Sequence, residues 1–335
     1  MIRTEREDDI EKMIGGMPLT AESIGYSREE LTTCGKCGKS NPPNRFNCLY
    51  CSAELAVAPT GVMERIVLRP LENFERGFNL ILRPGPDNTG LAEKAARFLG
   101  ADAEDIERIF SAGEPLPVAR VESETIASTV SEGLAAFGCE TWTLSDVDLT
   151  PNDPPRRLRE IHFHPDELEL IAFNAGRVSK IPYDQVTTIV LGMLTSSKIQ
   201  TTEKKKRGER QLVEQIQYSG DELVLDIYST EHPLGFRVMP SGFDFSTLGG
   251  ERELLAGRNI IKLAEKLKDA IPAARYSDSY GSLRHALRAV WDFDDRKDSL
   301  GLKRVGLGRM DKQNLTTTGN ITQLNKYSRL QRFLT

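Results

Sequence analysis

The chain is short of the residues on which most catalytic chemistry depends. Of its 335 residues only four are histidine, five cysteine and two tryptophan. No Ser/His/Asp arrangement, nucleophile elbow, phosphate-cradling glycine loop or paired-acid site stands in the context its chemistry requires. Long apolar runs are missing too, which excludes a membrane-spanning helix. With 39% hydrophobic residues, 27 glycines and 17 prolines, the composition is neither collagen-like nor that of a wholly disordered chain. The opening stretch, MIRTEREDDIEKMIGG, lacks the basic start and unbroken apolar core of a secretory signal, so a cytoplasmic location is expected.

What the chain does have is length for two or three independent cores, at roughly 100 to 200 residues per domain, and a segregated charge. The total is -5, yet the first 33 residues carry -4 and the last 37 carry +6. An acidic head and a basic tail are therefore expected, with self-association through the two ends as one way of using them.

Four of the five cysteines fall at Cys34, Cys37, Cys48 and Cys51. Two CxxC knuckles ten residues apart supply four thiolates for one tetrahedral ion, and Gly38 permits the tight turn after the first. A closed four-sulfur site leaves no position for water or substrate, so one structural Zn2+ is expected and no catalytic metal; a redox-active or disulfide-forming pair of motifs is the alternative. The stretch CGKCGKSNPPNRFNCLYCSAEL resembles the short zinc ribbons of many bacterial multidomain proteins over residues 32 to 55. It is also similar to Ran-binding-protein zinc fingers, some of which bind single-stranded RNA. Where those fingers carry stacking aromatics, this chain has Thr32 and Pro42.

Between residues 63 and 149 the periodicity predicts a strand at Phe78–Leu82, a helix with Leu91, Ala95 and Phe98 inward, and a second with Ile106, Ile109 and Phe110. A short strand near Leu116–Arg120, a helix capped by Ser123 and ending at Gly138, and a strand from Cys139 follow. This order resembles the C-terminal domain of the ribosomal stalk protein and the related Clp-protease adaptor fold. The resemblance implies a compact partner-docking domain, although the helix that is basic in the stalk protein reads Ala-Glu-Asp-Ile-Glu-Arg-Ile-Phe here. Cys139 is expected as a core residue.

A proline-rich linker at 149–155 separates this from residues 156–274. There, alternating runs predict strands at Arg159–Phe163, Glu167–Phe173, Gln185–Leu191, Gln211–Gln217, Glu222–Tyr228 and Gly235–Met239, with a turn at Ser219-Gly-Asp221. A closing helix with Ile260, Ala264, Leu267 and Ile271 on one face follows. Strands sealed by one helix resemble the bacterial pleckstrin-homology-like domain. The fold class expected is α+β multidomain: an acidic segment (1–31), a zinc ribbon (32–57), a stalk-like α/β domain (63–149), a mostly antiparallel β domain closed by a helix (156–274), and a helix plus a basic, partly disordered tail (282–335).

Two further features stand out in the second half. His162-Phe-His164-Pro-Asp166 resembles the start of a metallo-β-lactamase metal motif, but Glu167 stands where that motif has a histidine. Lys204, Lys205, Lys206 and Arg207 form a basic cluster suited to the phosphates of lipid headgroups or nucleic acid, and a solvated loop is the alternative. In the tail, Tyr327, Arg329, Leu330, Arg332 and Phe333 are candidate anchors for another protein or for the body of this one. The function expected is that of a non-enzymatic protein-interaction or adaptor protein, with another protein or a second copy as partner. Nucleic-acid or ribosome-associated binding is the alternative, and a metal-dependent hydrolase using His162 and His164 comes third.

Overall fold

The computed structural model describes residues 26, 30–55, 65–83, 85, 90–150, 153–174, 176–206, 209–306 and 309–334. Most of the acidic segment 1–31, and Arg207, lie outside the described residues. The chain divides into two compact units, Met1–Ala58 and Pro59–Thr335. In the first, β1 (Thr32–Thr33) and β2 (Ser40–Asn41) pair antiparallel, and a lone bridge joins Asn47 to Glu54.

The second unit is mixed α/β and mostly sheet. Its first layer runs β3 (Phe78–Leu82), α1 (Leu91–Leu99), α2 (Ala103–Ser111), β4 (Pro117–Val121), α3 (Glu124–Ala135) and β5 (Thr141–Ser145), in the order expected. The strands form an antiparallel sheet with β3 central. The causes are local. Asp102 accepts from the N–H groups of Glu104 and Asp105 to start α2, Ser123 accepts from Ile126 to start α3, and Gly100 ends α1 in the left-handed region.

The larger sheet has nine strands. After the short α4 (Asp146–Leu149) come β6 (Arg156–Phe163), β7 (Glu167–Ala172), β8 (Val178–Pro182), β9 (Val186–Lys206), β10 (Glu209–Ser229) and β11 (Phe236–Val238). Helix α5 (Ala256–Ala270) buries Ile260, Leu263, Ala264 and Leu267 against Leu158, Leu170, Ile189, Leu225 and Phe236. It is the closing helix that its 3.6-residue periodicity announces. Then follow β12 (Arg275–Ser277), α6 (Tyr280–Leu283), β13 (Asp294–Gly306), β14 (Arg309–Gly319) and α7 (Ile321–Arg332), and the sheet order is β13-β14-β9-β10-β11-β6-β7-β8 with β12 also on β9.

Two departures from the expected elements are informative. Ser219-Gly220-Asp221 is not a turn: it pairs with Ser197, Ser196 and Thr195, so Gln211–Gln217 and Glu222–Tyr228 are parts of one 21-residue strand. An available cross-strand partner outweighs the local turn preference of Ser-Gly-Asp. The tail is likewise ordered. Strands β13 and β14 pair antiparallel, β14 pairs with β9, and α7 is enclosed, with Leu324, Tyr327 and Leu330 fully buried. Most of its buried polar atoms are partnered, Arg329 Nε and Gln331 Nε2 excepted, and such a helix is not detected by a search for apolar runs.

The partners of α7 tie the unit together. Lys326 Nζ lies 2.8 Å from Asp146 Oδ1, Ser328 donates to Asp226 Oδ2 at 2.7 Å, and Gln323 donates to the Trp291 carbonyl at 2.6 Å. The Trp291 indole in turn donates to Asn79 of β3 at 2.6 Å. A helix of the tail thus joins the α/β layer to the large sheet. Among the described residues, no helix is long and apolar enough to cross a membrane.

Candidate metal centre

The two CxxC knuckles fold as copies of one another. In the first, the Cys34 N–H donates to the Lys39 carbonyl and the Gly38 N–H returns to the Cys34 carbonyl; in the second, Cys48 N–H donates to Ala53 and Ser52 N–H to Cys48. The residue after each second cysteine is left-handed, Gly38 at φ 69° and Ser52 at φ 56°. That conformation is free for glycine and strained for serine. Because each loop closes on its own first cysteine, all four side chains turn to one point.

The sulfurs then meet with the spacing of a tetrahedral ion. Cys34 and Cys51 Sγ are 3.7 Å apart, Cys37 and Cys48 Sγ are 3.6 Å apart, and all four lie within 4.8 Å of one another. Bonds of about 2.3 Å to a tetrahedral zinc give sulfur–sulfur edges of about 3.8 Å. A disulfide needs about 2.05 Å, so these are not disulfides. The four cysteines can hold one metal ion, and among the described residues they are the one group of three or more possible ligands brought together.

The electrostatics favour a cation at this point. Backbone N–H groups of Cys37 and Lys36 pull the Cys34 thiol below its ordinary range. For Cys48 desolvation is the largest influence and acts upward, yet the N–H groups of Tyr50 and Cys51, with Cys37 and Asn41, bring it down to about 6. The Lys39 N–H favours the Cys37 thiolate, but desolvation and the three neighbouring thiols push it up to about 12. Four thiolates cannot share this space unaided, and a bound dication removes that restraint.

Asn41, fully buried, connects the knuckles. Its Nδ2 donates to the Lys39 carbonyl at 2.9 Å and reaches Cys48 Sγ at 3.5 Å, while its Oδ1 accepts from Leu49 N–H at 2.8 Å. It orients the second knuckle from the end of the first, the role that outer-shell groups play in metal sites. An asparagine between two CxxC pairs was visible in sequence; its bridging was not.

The remaining predicted residues belong to the second unit. Cys139 is buried in the α/β layer and burial pushes its thiol up. His162 and His164 each face their own carboxylate, Glu160 at 3.2 Å and Glu169 at 2.9 Å, and among the described residues they converge on no third ligand. Lys204, Lys205 and Lys206 end β9. Tyr327, Arg329 and Leu330 are buried in the second unit, while Phe333, just after α7, is exposed, with the Arg332 guanidinium 5.7 Å from its ring. A cavity of about 720 Å³ opens where β6 and β11 begin. Arg156 and Arg157 lie over Phe236 and Phe173 at 5.5 and 4.0 Å there, making a cationic, apolar wall suited to binding. Comparison with family models, with curated proteins and with solved structures finds no match to this chain.

Proposed function

We propose that the chain is a non-enzymatic cytoplasmic adaptor: a zinc ribbon, a stalk-like α/β layer and a pleckstrin-like β body that dock other proteins. Zinc is the ion of choice for four soft thiolates in tetrahedral array, and its role is to hold the ribbon.

The observation that carries the reading is an open strand edge. Beyond Leu225, where β11 pairs with it, β10 has β9 on one side and no strand on the other among the described residues. Leu212, Val213, Ile216 and Tyr218 along this edge are exposed. Long edges with apolar side chains are normally covered or blunted, and they accept a partner's extended segment by backbone pairing.

The test is capture from native cell extract with the wild-type chain and with Ile216→Pro, followed by hydrogen exchange on the purified complex. A partner retained by the first and lost from the second, with slowed exchange across residues 212–219, is the expected result. Identical capture by both chains, or protection elsewhere, overturns the reading.

A further inference from the structure

Two basic runs a hundred residues apart in sequence meet at one end of the large sheet. Beyond Thr195, β9 and β10 continue as an arm, and β14 and β13 extend it to four strands. Leu212 stands opposite Glu203, Glu203 opposite Lys312, and Lys312 opposite Leu302, one row across all four strands. From that row β9 runs on to Lys206, paired with Glu209, and β13 to Gly306, paired with Arg309. These two pairs therefore close the same end of the arm, its tip. The described residues within 203–210 and 303–312 include eight basic and three acidic ones, a local +5 in a chain of -5.

The same tip carries aliphatic side chains open to solvent over about half of their surface. Leu212, Val213, Leu300, Leu302, Val305 and Met310 are 49% to 62% exposed. No aromatic residue occurs in 203–213 or 300–312. Single-stranded nucleic acid is held by cations together with aromatic stacking platforms, and aliphatic side chains add little there. An anionic bilayer uses both halves of this surface, cations at the headgroups and aliphatic groups at the acyl boundary.

We infer that the tip of this β arm docks on an anionic lipid bilayer. The inference shares with the adaptor reading only the premise that the arm is free to bind.

The test is sedimentation of the zinc-loaded full chain with vesicles of phosphatidylcholine alone and of equimolar phosphatidylcholine and phosphatidylserine, beside titrations with single-stranded RNA and duplex DNA. The wild type is expected to sediment with the anionic vesicles only. Lys303→Gln with Arg304→Gln should weaken that binding about thirtyfold. Leu302→Ser with Val305→Ser should lower it further at raised salt, with the thermal melt unchanged in both variants. Absence of binding to anionic vesicles, or tight nucleic-acid binding with vesicle binding indifferent to Leu302→Ser and Val305→Ser, overturns the inference. If vesicle binding fails while a protein partner still protects residues 212–219, the inference falls and the adaptor reading stands. If both fail, the arm is no docking element.

Discussion

The two units keep their shape by different means. The ribbon has little apolar interior: among its described residues Phe46 and Leu55 are buried, and Leu55 clusters with Cys34, Cys48 and Cys51 of the candidate metal site. The second unit buries nineteen hydrophobic residues in one cluster and still encloses Asp146, Asp226, Arg120, Arg237 and Lys326. A module this small needs an external staple, whereas a large core can carry buried charge provided each charge has partners. The difference predicts which insult destroys which unit.

Metal removal should have the largest effect and should touch the ribbon alone. Structural zinc contributes apparent binding free energies of about 10–16 kcal/mol at neutral pH, and in such modules this is folding free energy. A chelator, or Cys48→Ser, should make residues 30–55 protease-sensitive and collapse their amide dispersion while residues 65–334 resist. A ribbon that keeps its protection without metal would erase the contrast.

Next comes the ion pair inside the body. Arg237 forks onto Asp226 at 2.6 and 2.7 Å, both side chains are almost fully enclosed, and Ser328 adds a third hydrogen bond. Arg237→Met strands a buried carboxylate and should cost about 3–5 kcal/mol, with much of it recovered in Asp226→Leu/Arg237→Met. Urea unfolding monitored on the body measures both, and the ribbon's zinc affinity should not move.

Acid should separate the units in the same order. Burial acts upward on Asp146, but Lys326, Asn79 and Arg120 together hold its carboxyl below the usual range. Burial also lowers Lys326, so the charged pair is favoured through the carboxylate, which gathers the donors, and not through the ammonium. A group with a depressed folded value stabilises above its ordinary range and loses that contribution as pH falls through the folded value. Thiolate ligands protonate at higher pH than such a carboxylate. On acidification zinc release should precede loss of the body, and simultaneous transitions would contradict it.

How legible each unit was follows from the same contrast. The ribbon's chemistry is written in local spacing, so four cysteines announced the site, and short-range periodicity likewise announced α1 to α3 and α5. The arm and the tail depend on register between distant segments. Nothing near Ser219-Gly-Asp221 signals that Ser197 and Thr195 wait opposite, and nothing near Lys204 reveals Lys303 or Arg309. Helix α7 was hidden for another reason. Gln323, Lys326, Ser328, Arg329 and Gln331 look solvent-facing in sequence, and their burial depends on donors and acceptors up to 213 residues away, as with Tyr327 and Glu114.

The smallest effect lies between the two knuckles themselves. They share hydrogen bonds and backbone path, but Gly38 occupies the left-handed position of one and Ser52 that of the other. A non-glycine residue in that region costs roughly 1–2 kcal/mol, while glycine gives back roughly 0.5–1 kcal/mol through the greater freedom of the unfolded chain. Nothing lies within 4 Å of a Cβ added at Gly38, so Gly38→Ala should weaken the ribbon through backbone strain alone, by about 1 kcal/mol. Ser52→Gly should strengthen it by a few tenths of a kcal/mol up to about 1 kcal/mol, read as tighter zinc retention against a competing chelator. Opposite signs at equivalent positions would show that the knuckles are energetically as well as geometrically paired. Equal signs would mean that the Ser52 side chain contributes something its backbone angle does not reveal.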